Sequence, residues 1–360
     1  MDDPLPDRPR KGRGAVSNRT GRYERLISEA TDDGWGLCEE ELPPLHTTLT
    51  RDASKSIIAR NESPDVPFDR SINPYRGCEH GCVYCFARPT HAYLGLSPGL
   101  DFETKLFFKP EAPRLLEKEL RRPGYACRVM ALGTNTDPYQ PVERRLGITR
   151  EILKVLSAFN HPVGIVTKSA LVLRDLDILA PMAERGLAQV CISVTSLDRD
   201  LANKLEPRAP TPPRRIETIR RLAEAGIPVG VMTAPVIPAL TDAELESILE
   251  TARDAGAQSA GYVLLRLPLE ITGLFEEWLA SHAPLKAERV MSLVRGSRGG
   301  KTYDSTFGQR MTGTGAYAEA IGRRFDLACR RLGFDSGKRF RLDVSRFSPP
   351  LAHDGQLALF

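Results

Sequence analysis

The run Asn73-Pro-Tyr-Arg-Gly-Cys-Glu-His-Gly-Cys-Val-Tyr-Cys-Phe86 places three cysteines, Cys78, Cys82 and Cys85, at the spacing C-x3-C-x2-C, in a loop with glycines at Gly77 and Gly81. Three thiolates are an incomplete ligand set. A structural zinc is normally enclosed by four protein ligands, so the triplet would need His80 or His91 to complete a tetrahedron. A ferredoxin-type [4Fe-4S] centre needs a fourth thiolate, and no cysteine stands close enough downstream to serve. The reading that uses the triplet as written is a [4Fe-4S] cluster held by three cysteines, its fourth iron left open for a small chelating ligand. A Cys3His zinc knuckle is the alternative, and iron analysis separates the two.

Working outward from the loop, a helix and strand rhythm sets in. Glu111 to Arg121 reads as a helix, with Pro113 in its first turn and Leu115, Leu116 and Leu120 on one side. A strand follows over Cys127 to Leu132. The pattern then repeats: helix Ile148 to Phe159, strand Val163 to Thr167, helix Leu171 to Glu184, strand Gln189 to Val194, helix Arg214 to Ala225, strand Val229 to Thr233, helix Asp242 to Ala255, strand Ala260 to Leu265. A strand just before the cysteine loop makes six βα units. Such alternation implies right-handed crossovers and a parallel sheet, and the short apolar strands suit burial on both faces. A doubly wound sheet competes with a barrel, but no G-x-G-x-x-G follows any strand, so the dinucleotide-binding version lacks its main signal. A partial (β/α)6 TIM-like barrel fits better, because the unusual residues cluster after strand C-terminal ends. The chain then divides into a polar, partly disordered extension over 1–65, the barrel over 66–267, and a mostly helical cover and tail over 268–360.

Those strand ends are chemically distinctive. Strand two runs into Gly133-Thr-Asn-Thr-Asp-Pro-Tyr-Gln-Pro141, strand three into Thr167-Lys168-Ser169, strand four contains Ser193-Val-Thr-Ser196, and strand five ends Met232-Thr-Ala-Pro-Val-Ile-Pro238. Turn and cap chemistry accounts for each alone, since Ser169 can cap a helix and Asp137-Pro138 can start a turn. Together with the open iron they suit S-adenosylmethionine, whose amino and carboxylate groups chelate that iron while an electron from the cluster splits the sulfonium to a 5′-deoxyadenosyl radical. In this radical SAM arrangement Asp137 with Thr134 or Thr136 would take the methionyl ammonium, Lys168 the carboxylate, Ser193 the ribose and the Ala234 backbone the adenine edge.

The remaining composition is permissive. With 360 residues, 41% hydrophobic, the chain can bury one large core or two smaller ones. Seven cysteines show no disulfide framework, and no apolar leader or run of about 18 apolar residues occurs. These features predict a cytoplasmic protein with no membrane contact. A net charge of +4 allows a phosphate-bearing partner without requiring one. The polar leader, with Arg8, Arg10, Lys11, Arg13, Arg19, Arg22 and Arg25, reads as largely mobile, and Cys38 as a small buried hydrophobe. The loop Gly296-Ser-Arg-Gly-Gly-Lys301 lacks Walker spacing and reads as a surface turn. Basic residues crowd the C-terminal end at Arg323, Arg324, Arg330, Arg331, Lys338, Arg339, Arg341 and Arg346, as a solvated face or as a phosphate-binding one.

The cysteine loop, Val166-Thr167-Lys168, Ser193, Leu205-Glu-Pro, Arg220-Arg-Leu-Ala-Glu-Ala-Gly226 and Thr233-Ala-Pro235 together resemble the spore photoproduct lyase branch of the radical SAM superfamily, over roughly 71–238. The resemblance implies a partial barrel, a [4Fe-4S] cluster on Cys78, Cys82 and Cys85, and S-adenosylmethionine contacts at Asp137, Lys168, Ser193 and Ala234. It also implies an electron donor such as flavodoxin or ferredoxin, and, in the lyase itself, repair of a thymine dimer in DNA. Two departures bear on the reaction. In the lyase the strand-two turn carries a cysteine that returns a hydrogen atom, whereas the turn here, from Gly133, has no thiol. The tyrosine expected after the third cluster cysteine is Phe86, while Tyr84 is kept as a cofactor-side and catalytic candidate. Cys191 could substitute for the missing thiol, although a small core hydrophobe is the simpler reading. The expected function is a radical SAM enzyme acting on nucleic acid as first choice, with protein or small metabolite as rivals. A non-catalytic nucleic-acid-binding module with a structural knuckle is the reading from a different class.

Overall fold

The computed structural model describes residues 8–24, 45–334 and 342–351. Arg25, Cys38, Lys338, Arg339 and Arg341 lie outside the described residues.

Two short strands, β1 (Thr48–Arg51) and β2 (Ile58–Arg60), precede β3 (Arg70–Ile72), which feeds the cysteine loop. Around that loop stand β4 (Tyr75–Arg76), a 3-10 segment Arg88–Leu94, α1 (Asp101–Thr104) and β5 (Lys105–Phe108). The alternation follows: α2 (Ala112–Leu120), β6 (Met130–Leu132), α3 (Glu143–Leu146), α4 (Ile148–Ala158), β7 (Val163–Thr167), α5 (Leu176–Glu184), β8 (Ala188–Ser193), α6 (Arg199–Leu205), α7 (Pro212–Glu224), β9 (Val229–Val236), α8 (Leu245–Asp254) and β10 (Ser259–Leu264). Three helices close the chain, α9 (Ile271–His282), α10 (Pro284–Gly296) and α11 (Gly315–Leu332).

The strands β3, β6, β7, β8, β9 and β10 pair in parallel in that order, with β2 antiparallel beside β3. Each parallel strand lies next to the one before it, without the reversal of order that defines a doubly wound sheet. Among the described residues β10 and β3 do not pair, so the sheet is an open, partial barrel. The six expected strands are these six. The helices cover them with apolar stripes: α4 buries Ile148, Ile152, Leu153 and Leu156 in the same core as Val163, Ile165, Val190 and Val231. Register sets the rim, because Leu132 pairs with Ile165, Thr167 with Ile192 and Ser193 with Met232. The residues that follow these positions therefore emerge together.

Several local expectations change. The strand expected from Cys127 begins only at Met130, because its neighbour β3 offers three residues and the Arg70 guanidinium, 2.6 Å from the Ala126 carbonyl, holds the approach instead of a ladder. The helix expected from Leu171 opens as a 3-10 segment, Ala170–Asp175, before α5. The small sheet β1-β5-β4 was not expected at all. The polar leader is not mobile over 13–17: Ala15, Val16 and Ser17 are buried, and the Gly14 and Ala15 N–H groups donate to the Glu103 carboxylate at 3.0 and 2.9 Å. Only glycine fits at position 14, where a Cβ would lie 1.7 Å from the Gly81 carbonyl oxygen.

The C-terminal region packs where the barrel is incomplete. Helix α9 buries Ile271, Phe275, Trp278 and Leu279 with Val83, Tyr84 and Leu205, so the cysteine loop has its own apolar backing. The Leu264 N–H donates to the Met311 carbonyl at 2.8 Å, which lays the 298–314 loop along the free edge of β10. On α11, Arg324 pairs with Glu246 and Arg331 with Glu250 of α8. Those two arginines serve helix packing, not a free phosphate-binding face.

Candidate active site

The cysteine loop is fixed by a buried cation. Arg88, fully buried, donates to the carbonyls of Gly81, Cys82, Pro98 and Gly99 and to the Glu103 carboxylate. A guanidinium supplies five donors in a rigid fork, and here it gathers the backbone that carries the thiols. All three cysteines are free thiols lining one cavity of about 250 Å³.

The donor set fits a soft metal centre. Burial pushes the thiols of Cys78, Cys82 and Cys85 up, so they gain charge by coordinating a metal that displaces the proton. His80, whose Nδ1 faces Asp137 at 3.3 Å, lines the same cavity, whereas His91, with Nε2 2.9 Å from the Lys105 carbonyl, does not. A four-iron cluster would need only the three cysteines; a Cys3His zinc site would draw on His80 as well.

The same cavity is lined by Tyr84, Thr134, Asn135, Asp137, Lys168, Ser193 and Ala234, as well as Phe86 and Arg266. The strand-end residues named from sequence are thus brought to one place, with one exception. Thr136 does not line the cavity; it is buried and its hydroxyl donates to the Tyr75 carbonyl at 3.1 Å. Its neighbours Thr134 and Asn135 face inward instead. Gly133 makes the turn possible, with φ +84° and a Cβ position only 1.8 Å from the Val166 carbonyl oxygen, so no side chain fits there.

Asp137 reaches the cavity but is heavily engaged. Its carboxylate accepts from the Thr167 hydroxyl at 2.7 Å, the Lys168 N–H at 2.8 Å and the Tyr139 N–H at 2.9 Å. Burial would raise its pKa, and His80 with these donors outweighs that and holds it below the ordinary range. Asp137 therefore ties β7 to the strand-two turn and to the cysteine loop while keeping its charge.

Lys168 sits differently. Burial pushes its ammonium down to about 8, and its contacts are long: 3.3 Å to Glu206, 3.5 Å to the Thr195 hydroxyl and 3.5 Å to the Ala234 carbonyl. The Ala234 carbonyl thus faces an ammonium and the Thr195 hydroxyl. Ser193 lines the wall while its own carbonyl accepts from Arg215 at 3.2 Å.

Sequence reasoning missed Glu206 as a site residue although its Leu205-Glu-Pro run was noticed. Buried, it accepts from Tyr84, from Thr195 at 2.7 Å and from Arg215. The Tyr84 hydroxyl is therefore held at a carboxylate, with its ring at the cavity. Arg266 was missed as well, because an arginine after the last strand carries no spacing signal. Cys191 stays off the cavity wall, against Gly230.

The radical SAM superfamily model matches residues 72–252. An uncharacterized protein of Mycobacterium tuberculosis is 40% identical over 66% of this chain and 71% of its own, and one of Methanocaldococcus jannaschii is 30% identical over 48% and 62%. Among solved structures, a spore photoproduct lyase variant with bound AdoMet and dinucleoside spore photoproduct aligns at a TM-score of 0.56, with 14% identity over 79% of each chain. Another lyase variant aligns at 0.56 with 15% identity and the same coverage. At that identity the likeness is one of fold. With three cysteines at one cavity of a six-stranded partial barrel and a family match over half its length, this chain belongs to the radical SAM superfamily.

Proposed function

We propose that Cys78, Cys82 and Cys85 hold a [4Fe-4S] cluster, that the adjoining cavity binds S-adenosylmethionine, and that the enzyme removes a hydrogen atom from a nucleic-acid substrate. The observation that carries this reading is the sharing of one cavity by three free thiols and the loosely held Lys168. When bound, cluster and cofactor supply reductive cleavage of the sulfonium to a 5′-deoxyadenosyl radical, the electron coming from a donor such as flavodoxin or ferredoxin.

This chain's residues supply position and charge. Lys168 offers the cofactor carboxylate a cation whose present partners are at the long end of hydrogen bonding. Glu206, balanced by Arg215, keeps Lys168 aimed along the wall. Tyr84, its hydroxyl held at Glu206, would give a hydrogen atom to the product radical, and the tyrosyl radical left behind would take one electron from the electron donor and one proton to regain its hydroxyl. The lyase variant's dinucleoside ligand supports nucleic acid as the substrate class. Among the described residues the only thiols lining the cavity are the three proposed ligands, so efficient reversal of the spore thymine dimer is not expected.

The test is anaerobic reconstitution, reduction in the presence of S-adenosylmethionine, and chromatography for 5′-deoxyadenosine. Stoichiometric zinc with neither iron nor 5′-deoxyadenosine would replace this reading with a structural knuckle.

A further inference from the structure

Two arginines at this end of the barrel sit over phenylalanine rings, each with Cζ 4.7 Å from the ring centroid: Arg266 over Phe86 and Arg310 over Phe307. Their charges are handled differently. Arg310 pairs with Asp65 and donates to the Ser63 hydroxyl at 2.5 Å. Arg266 makes no hydrogen bond or ion pair with any described residue, although it lines the cavity and burial opposes its charge. A third guanidinium nearby, Arg298, donates to the carbonyls of Leu264, Leu265 and Gln309, which are neutral. The wall formed by the end of β10 and the 298–314 loop thus carries more cations than anions. Phe86, at 45% exposure, marks where this wall meets solvent.

Stacking on an aromatic ring uses the face of a guanidinium and leaves its in-plane N–H donors available for an oxyanion. Lys168, on another part of the lining, has the Glu206 carboxylate 3.3 Å away; among the described residues no carboxylate stands at ion-pair distance from Arg266, and Asp65, whose charge reaches it, is paired with Arg310. Resting on the function proposed above, we infer that Arg266, steadied by Phe86, is the substrate-anion site, and that the group it takes is a backbone phosphate of a single nucleic-acid strand entering the cavity. Exposed aromatic rings among arginines are the usual platform for such strands. This gives Phe86 a positive role: it seats the cation that the substrate meets.

The experiment uses the reconstituted full chain with S-adenosylmethionine and a fluorescein-labelled single-stranded oligodeoxythymidine, read by anisotropy over a range of salt. Arg266→Gln should weaken binding about tenfold and reduce the salt slope by about one, as loss of one phosphate contact does. Arg266→Lys should keep the slope while losing part of the affinity, and guards against misfolding of the glutamine variant. Arg220→Gln, on the outer face of the barrel, should change neither. Equal affinity and slope in Arg266→Gln overturns the inference. So does tight binding of inorganic phosphate at Arg266 without oligonucleotide binding, which would assign the site to a small phosphorylated substrate. Loss of iron in both Arg266 variants with oligonucleotide affinity intact also overturns it, making Arg266 a counter-charge for the cluster. Assay of 5′-deoxyadenosine on the same wild-type preparation separates the two levels: cleavage with an indifferent Arg266 sinks only this inference, whereas absence of iron and cleavage sinks the function on which it rests.

Discussion

Two buried charged networks touch the cysteine loop, and they differ in how completely they are satisfied. Around Arg88 and Glu103, both fully buried, the guanidinium reaches four carbonyls and a carboxylate, and that carboxylate also accepts two N–H groups from the N-terminal segment. Around Glu206, the Arg215 side is equally closed, but Lys168 hangs on contacts of 3.3 to 3.5 Å at the cavity. A buried charge left short of partners is costly unless something completes it. The first network holds the loop's shape; the second is finished by what binds.

The largest effect comes from removing what both networks present. Cys82→Ala should abolish iron uptake, where the reconstituted wild type takes about four irons. The fold should survive, because Arg88 binds the carbonyl of residue 82 and not its side chain. Iron analysis with a thermal melt of the apoprotein checks both halves, and a variant that still holds a full cluster would displace Cys82 from the ligand set.

Breaking the closed network should cost stability first. Arg88→Met strands a buried carboxylate and several carbonyls, which is worth roughly 3–5 kcal/mol. Urea unfolding of the apoprotein should show it, with the thiols reacting faster with a disulfide reagent as the loop loosens. A loss below about 1 kcal/mol would mean that the pair is ornamental.

The closed side should also be the acid-sensitive one. His91 lies against Phe102 and burial holds its pKa down at about 4. Its folded pKa is below its unfolded one, so the stability it contributes is complete above about pH 6.5 and is lost as pH falls toward 4. The amount is roughly 3 kcal/mol. His161, likewise buried and at about 4, contributes in the same window. His282 is also held down by burial, so His91→Gln should remove less than half of the decline in apoprotein stability between about pH 6.5 and 4; an unchanged decline would put the acid-labile groups elsewhere.

This contrast also marks what the sequence could reveal. The six strands and the strand-end residues were legible because period and position along the chain carry them; β7 has the bounds that were expected. The inward-facing set Asp137, Lys168, Ser193 and Ala234 followed from the rim rule. Thr136 failed because adjacent residues in a turn point different ways, and backbone geometry at Gly133 decides which. Glu206 was invisible as a site residue because Tyr84 lies 122 positions away, and Glu103 because Gly14 lies 89 away; Arg88 and Arg266 carry no spacing signal, and a lone charged residue in sequence looks like surface. The leader over 13–17 was misread for the same reason: its polar composition hides an attachment made through backbone N–H groups.

The open network should respond to ligand more than to denaturant. Lys168→Ala removes a charge-assisted contact to the cofactor carboxylate, worth about 1.5–3 kcal/mol, or roughly 10- to 150-fold in S-adenosylmethionine affinity. Stability should change little, since the contacts Lys168 makes in the free protein are long and removing it also relieves the burial of a charge. Lys168→Arg should bind weakly too, because a planar fork cannot replace a compact ammonium between Glu206 and the Ala234 carbonyl. Glu206→Gln sharpens the point: it leaves Lys168 in place but removes the charge that opposes Arg215, so affinity should fall less than in Lys168→Ala while stability falls more. Calorimetric titration of S-adenosylmethionine into the reconstituted variants, beside urea unfolding of the same proteins, would show the two quantities moving in opposite order. Lys168→Ala variants that lose stability but keep affinity would assign Lys168 to the same structural role as Arg88 and remove the distinction between the networks.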